Sequence, residues 1–344
     1  MEFNCSRLKS VLLTDRKYAA RITLFFFIMF GVLTACNEEE VDIVEQSAIN
    51  KWQYYTESHG LASSYINTIF EDSKGNMWIG TDQGLSVDGP GGFNSYTTGD
   101  GLLSNNIFAI AEDHEGNIWV GTPNGLNILF DGDWYYFNYF YGFGVYALVT
   151  LADEKGVLIG TGGYGIYRYD LTQEVFEPYS IVSNCDECNS INTLFQAKDQ
   201  SVWISSFKGV RKIKDNSVTT IDAQDGLPGN IATSIAEDSW GNIWIGTVEG
   251  KTITRVSGNL ISQVSFNNGA EQNFIFGIQE DNDGKLWVGT IANGLFHYDG
   301  AIMKRIYQGP PDTTITALLK DSHGNLWIGT SGGGLAQYVT NPLH

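Results

Sequence analysis

The side chains in this chain that could do chemistry are few and scattered. Cys185 and Cys188 form a Cys-x-x-Cys pair, suited to a small disulfide; a zinc site would need two further ligands, and none lies near them in sequence. Asp281-Asn282-Asp283-Gly284 looks like the start of a calcium loop, but the third ligand and the downstream Glu are missing, so it reads as a turn. The five histidines, His59, His114, His297, His323 and His344, are dispersed. His59 and Glu249 are the only acid-base groups with a claim to a catalytic role, and neither has an evident partner. Aromatics are denser: Tyr139-Phe140-Tyr141-Gly142-Phe143-Gly144-Val145-Tyr146 offers rings that could stack on sugars or anchor a protein. No metal, cofactor or catalytic residue is expected, and binding is the chemistry best represented.

These residues sit in a repeat. Glu71-Asp72-Ser73-Lys74-Gly75-Asn76-Met77-Trp78-Ile79-Gly80-Thr81 recurs as Glu112-Asp113-His114-Glu115-Gly116-Asn117-Ile118-Trp119-Val120-Gly121-Thr122. Later copies centre on Trp203, Trp244, Trp287 and Trp327. A degenerate copy, Asp153 to Thr161, puts Leu158 in the tryptophan slot. Steps from Trp78 are 41, 39, 45, 41, 43 and 40 residues, giving seven units of the length that marks stacked four-stranded sheets. In each unit a β-branched run such as Ile66 to Phe70 is strand a, and Asp-x-x-Gly-Asn is a tight turn. The Trp-bearing run is strand b, strand c opens at pairs such as Gly84-Leu85, and the Phe93 to Thr97 type is strand d. The tryptophans are expected in the core between units.

The fold expected is therefore all-β: a seven-bladed β-propeller of four-stranded blades. Unit seven stops after its third strand, Leu335 to Val339, whereas an orphan strand, Lys51 to Thr56, stands at the other end. An N-terminal strand completing the last blade would close the ring and remove the open edges.

The d–a and b–c connections share the face around the mouth of the central channel, and the a–b turns lie opposite. Residues at the mouth that break the repeat are the candidates for ligand binding. Tyr139, Tyr141, Phe143 and Tyr146 come from the connection into blade three, and Gln83, Asn124, Tyr164, Phe207, Lys208, Glu249 and Asn293 from the b–c turns. The competing reading of the blade-three aromatics is a hydrophobic plug over the blade that lacks its tryptophan.

The N-terminus is a targeting segment. Five basic residues precede the apolar run Ile22 to Val32, too short to span a bilayer comfortably, and Leu33-Thr34-Ala35-Cys36 resembles the bacterial lipobox. The domains expected are a signal peptide over 1–35, an acidic tether over 36–50 and the propeller over 51–344, with lipidation at Cys36 as the sole membrane contact. Glu38-Glu39-Glu40 after the anchor resembles a surface-export signal of lipoproteins from Bacteroidetes-type bacteria, so the expected location is the outer membrane, facing the periplasm or the exterior. The chain has 20 Lys+Arg and 39 Asp+Glu; loss of five basic and two acidic residues with the signal leaves 15 against 37, a formal charge near −22. Nucleic acid is thereby a poor partner. A monomer is expected.

The unit Glu-Asp-x-x-Gly-Asn-Ile/Leu-Trp-Ile-Gly-Thr, with Asp-Gly-Leu before the inner strand, resembles the two-component-regulator propeller repeat over residues 51–339, five of seven cores fitting nearly residue for residue. That family builds periplasmic sensors of hybrid histidine kinases that respond to glycans in Bacteroidetes. The resemblance implies a ligand-binding or sensing propeller for a glycan or an envelope protein, and it transfers no individual binding residue. Such sensors usually carry two propellers, a connector, a membrane helix and a kinase; here one ring is seen, so signalling by phosphorylation is not expected of this chain itself. The rival expectations are a propeller-type polysaccharide or antibiotic lyase, which needs an acid-base group over the channel, and an interaction scaffold at the cell surface.

Overall fold

The computed structural model describes residues 52–340 apart from 154, 181–183, 216 and 267–272. The signal peptide, Cys36 and the acidic tether lie outside them. The described chain forms seven antiparallel four-stranded sheets, each with strands a to d in sequence order from the hub outwards, except the last. Blade one runs Ile66–Glu71, Met77–Thr81, Leu85–Gly89 and Gly92–Tyr96. Blade seven takes Ile315–Lys320, Leu326–Thr330 and Leu335–Tyr338 from the C-terminal part of the chain, and Trp52–Tyr55 as its outer strand. The closing register pairs Trp52 with Tyr338, Gln53 with Gln337, Tyr54 with Ala336 and Tyr55 with Leu335. Tyr55 stacks on Trp327 at 5.6 Å, and Trp52 meets Tyr338 at 4.9 Å. The seven-bladed ring closed by an N-terminal strand is thus the fold of this chain.

Strand b is buried along its whole length in six blades, and in blade six at all but its last residue, Ile291, because each face of a blade is covered by a neighbour. The six repeat tryptophans are at most 7% exposed and pack toward the following blade. Burying an indole leaves its N–H in need of a partner. In five blades that partner is the aspartate of the a–b turn: Nε1 of Trp78, Trp119, Trp244, Trp287 and Trp327 donates to Oδ2 of Asp72, Asp113, Asp238, Asp281 and Asp321 at 2.8–2.9 Å. The other carboxylate oxygen caps the turn, as where Asp72 Oδ1 accepts from Lys74 N and Asn76 N, and Gly75 supplies the positive φ of 84° that the turn requires. One aspartate thus ties a surface turn to the buried interface between blades.

Blades three and four depart from this device. In blade four Ala197 replaces the aspartate, and Trp203 Nε1 donates to Ser201 Oγ instead (2.9 Å). In blade three the a–b turn is one residue longer: Val149 pairs with Leu158, and Leu151 N bonds to Gly156 O. Buried Leu151, rather than Asp153, therefore stands at the aspartate position. Asp153 lies outward, beside Arg168 at 3.6 Å. Without an indole there is no N–H to satisfy, and a leucine serves.

Candidate functional site

The innermost strands surround a cavity of about 530 Å³ at the hub. Each innermost strand packs on that of the next blade, and blade seven's packs on blade one's. In six blades strand a shifts register against strand b near its start, skipping Asn67, Tyr146, Asn192, Thr233, Phe276 and Thr316. Such a bulge re-aims the extra side chain. These six, with Phe108 at the matching position of blade two, form a ring lining the cavity at the face of the d–a and b–c connections. Further along each strand comes a second ring made wholly of aliphatic side chains: Ile69, Ile110, Leu148, Leu194, Ile235, Ile278 and Leu318.

The mouth ring divides by chemistry. Four members bond to the next blade: Asn67 Nδ2 donates to Ile107 O (3.0 Å), Asn192 Nδ2 to Ala232 O (2.7 Å), Thr233 Oγ1 to Ile275 O and Thr316 Oγ1 to Ile66 O (2.6 Å). The other three, Phe108, Tyr146 and Phe276, are aromatic. Phe108 and Tyr146 stack at 4.9 Å with 20° between their planes, and Phe207, Ile231 and Val248 add apolar surface to the rim. Among the described residues, no carboxylate, imidazole, ammonium or guanidinium group lines the cavity.

Of the eleven residues singled out from the sequence, Tyr146 and Phe207 line this cavity. Tyr139 instead stacks on Phe176 (5.3 Å) and meets Phe140 and Tyr167 edge-on, around a Phe140 that is fully buried. This plug sits on the blade-two side of blade three, where Phe137 stacks on Trp119 at 5.1 Å, and not on the Leu158 side. Tyr141 is exposed near Tyr136, and Phe143 packs on Tyr164 at 4.4 Å. Asn124 ties two loops, its Nδ2 donating to Leu103 O and its carbonyl accepting from Gly142 N. Lys208 Nζ pairs with Glu187 at 2.7 Å, and the Glu249 side chain lies against Gly229. Gln83 lies in its b–c turn beside Asp82, and Asn293 lies in the b–c turn of blade six. The ring members Asn67, Phe108, Asn192, Thr233, Phe276 and Thr316 were not singled out. The signal for them was present: they occupy one fixed position, eleven residues before each tryptophan, at which the type changes from blade to blade.

The remaining groups with chemical potential are engaged elsewhere. Asp281 Oδ1 accepts from Asp283 N and Lys285 N while Oδ2 accepts from Trp287, so this loop is a turn that spends its carboxylate on the fold. Among the described residues no three His, Cys, Asp or Glu side chains gather as a metal site. His59 Nδ1 accepts from Thr56 N at 3.2 Å, capping a short turn before blade one. Cys185 and Cys188 are joined as a disulfide with Cα atoms 5.3 Å apart, and Arg211 Nη2 donates to Cys188 O at 2.6 Å. No helix among the described residues is long and apolar enough to cross a membrane.

Similar folds are known. The chain superposes on the extracellular domain of a hybrid two component system of B. thetaiotaomicron with a TM-score of 0.72 at 24% identity, over 85% of this chain and 42% of that one. It superposes equally, TM-score 0.72 at 21% identity, on the extracellular domain of a one component system of the same organism, over 86% of this chain and 40% of that one. The chain therefore spans about two fifths of the length of those structures. Virginiamycin B lyase of Staphylococcus aureus shares the fold at a TM-score of 0.68 and 13% identity, over 83% of this chain and 98% of that one. Curated proteins give no match. Residues 60–83, 101–124, 226–249, 269–292 and 309–332 match the family model described as two component regulator propeller. The unmatched blades, three and four, are those without the aspartate–indole bond. Five of the seven blades thus carry the two component regulator propeller repeat.

Proposed function

We propose that this chain is a lipid-anchored propeller of the outer membrane, facing the periplasm or the exterior, that binds a glycan at the mouth of its hub and acts as a recognition module. The observation that carries the reading is the hub itself. A cavity of about 530 Å³ is of ordinary ligand-pocket size, and its rim combines exposed rings with amides and hydroxyls. Three of those rings, Tyr146, Phe207 and Phe276, are 38–45% exposed. The family match and the extracellular neighbours support placing that surface outside the cytoplasm, and the lipobox-like Leu33 to Cys36 supports the anchor. A lining in which the described residues bring no carboxylate or imidazole favours binding over acid-base turnover. An envelope protein docking on the same rim is the other outcome of the test.

The test is a glycan array probed with the chain lacking residues 1–36, beside a Tyr146→Ala, Phe207→Ala variant. The expected result is binding of at least one glycan that the double variant loses. An array without signal, or a signal the variant keeps, would refute the reading; turnover of a bound polysaccharide would point to a lyase.

A further inference from the structure

The mouth ring has an order that the cavity alone does not explain. Going round from blade one it reads Asn67, Phe108, Tyr146, Asn192, Thr233, Phe276, Thr316. In a closed ring of seven, blade six stands diametrically across from the junction of blades two and three. The single aromatic Phe276 therefore faces the stacked Phe108 and Tyr146 pair across the hub. The two arcs between these walls are polar: Asn192 and Thr233 on one side, Thr316 and Asn67 on the other. The hub is a slot with two opposed aromatic walls and two opposed hydrogen-bonding walls.

The polar arcs hold the ring together, since each of their four side chains spends one donor on the next blade's backbone. The lone pairs of their hydroxyl and amide oxygens can still accept hydrogen bonds. The aromatics make no such bond at the hub. An aromatic position therefore forgoes an inter-blade tie, and what it presents instead is a flat apolar face.

Charge narrows the ligand further. The lining formed by the described residues has no formal charge and ends on an aliphatic floor, so an ionised ligand would leave water without meeting a counter-charge there. The rest of the chain, with a formal charge of −19, repels anions at longer range. A wholly apolar or aromatic ligand would suit the two ring walls but leave the polar arcs unmatched. A pyranose ring meets both conditions: its C–H faces are apolar and its edge carries hydroxyls.

Resting on the glycan reading above, we propose that the hub slot selects an uncharged sugar ring, held between Phe276 and the Phe108–Tyr146 pair with its hydroxyl edges toward the Asn/Thr arcs, and discriminates against uronic or sulfated sugars. Phe276 and Tyr146 set this preference, and the outer loop with Tyr139 and Tyr141 does not.

Calorimetric titration of the chain lacking residues 1–36 tests this with two matched sets of probes: neutral tetrasaccharides of glucose, mannose and xylose, and tetramers of galacturonic and mannuronic acid. The expected result is binding from the neutral set, weakened about tenfold or more by Phe276→Ala and by Tyr146→Ala, as loss of one stacking face implies, and unchanged by Tyr141→Ala. Phe276→Tyr, which keeps the ring, should retain binding, and matching circular dichroism and melting curves show that the alanine variants are folded. Preferential binding of the acidic tetramers, or neutral binding that survives both alanine variants, would overturn the slot while leaving glycan recognition intact. Silence from both sets, together with a silent array, would overturn both.

Discussion

Removing the Asp72 carboxylate should break a turn and a blade interface at once. Asp72 is 7% exposed and accepts four hydrogen bonds: from Trp78 Nε1 at 2.9 Å, Asn76 Nδ2 at 2.7 Å, Asn76 N at 2.8 Å and Lys74 N at 3.0 Å. In Asp72→Ala the indole N–H of Trp78, 5% exposed, has no acceptor, at a cost of roughly 1–3 kcal/mol for a buried orphan. The turn donors lie near solvent and lose about 1 kcal/mol more between them. The expected destabilisation is therefore about 3 kcal/mol, or a drop in melting temperature of roughly 5–10 °C for a domain of this size. Asp72→Asn keeps one acceptor oxygen for the turn but sets an amide N–H₂ against other donors, and should fall between. Burial pushes the Asp72 carboxyl up, but the hydrogen bonds from Trp78 and Asn76 outweigh it and hold the group below its ordinary value. Its stabilisation is then complete above the unfolded value, about 3.9, and fades as pH falls through the folded one, so the gap between wild type and Asp72→Asn should narrow between pH 7 and pH 3. Urea denaturation with Asp153→Ala as the control is the assay, because Asp153 lies outward where Leu151 fills the aspartate's place. A loss under about 1 kcal/mol for Asp72→Ala, or one equal to the control, would refute the reasoning.

Three further outcomes are expected. Deleting Trp52 to Thr56 should expose the Leu335–Tyr338 edge and remove the Tyr55–Trp327 stack, giving a lower urea midpoint and aggregates on gel filtration; an unchanged midpoint and a monomeric peak would count against closure by this strand. Leu158→Trp restores the repeat residue yet should destabilise by about 1–3 kcal/mol in urea denaturation, since Leu151 offers the new indole no acceptor and the site is already filled; a gain in stability would contradict this. Burial holds the His297 imidazole below its ordinary value, against the pull of Asp281 at 3.9 Å and Asp299 and with the push of Lys285 and Lys304. The unfolded chain then takes up this proton more readily, so stability is full above about pH 6.5 and falls as pH drops toward the folded value; His297→Gln should flatten that slope between pH 7 and pH 5.

The repeat made most of the fold legible. A tryptophan, or Leu158 in its place, every 39 to 45 residues marks strand b, Asp-x-x-Gly-Asn marks the turn before it, and the orphan strand at Trp52 identifies the closure, because these features depend on local spacing. In blade three Leu158 does occupy the tryptophan slot, but Asp153, which matches the motif by type, is not at the aspartate position: Val149 pairing with Leu158 puts Leu151, two residues earlier, there. The hub was legible in part. Tyr146 and Phe207 drew notice as residues foreign to the repeat, but Phe108 and Phe276 look like ordinary apolar strand residues. What turns Phe276 inward is the bulge, and a bulge follows from how two strands meet, with no residue type that announces it. Tyr139 and Phe140 show the converse: an aromatic run that looks like a binding loop is largely claimed by Phe176, Tyr167 and Trp119.

The pairing of Trp52 with Tyr338 also bears on how the wheel comes to exist. Six blades are made from contiguous chain and can assemble in sequence order, whereas the seventh must wait until its third strand is available for a partner that was made first. The final step joins the most distant parts of the described chain, the kind of contact that slows folding. Four residues of pairing then act as a latch. Amide exchange in Trp52–Tyr55 should accordingly report the easiest opening of the wheel, ahead of any strand nearer the axle.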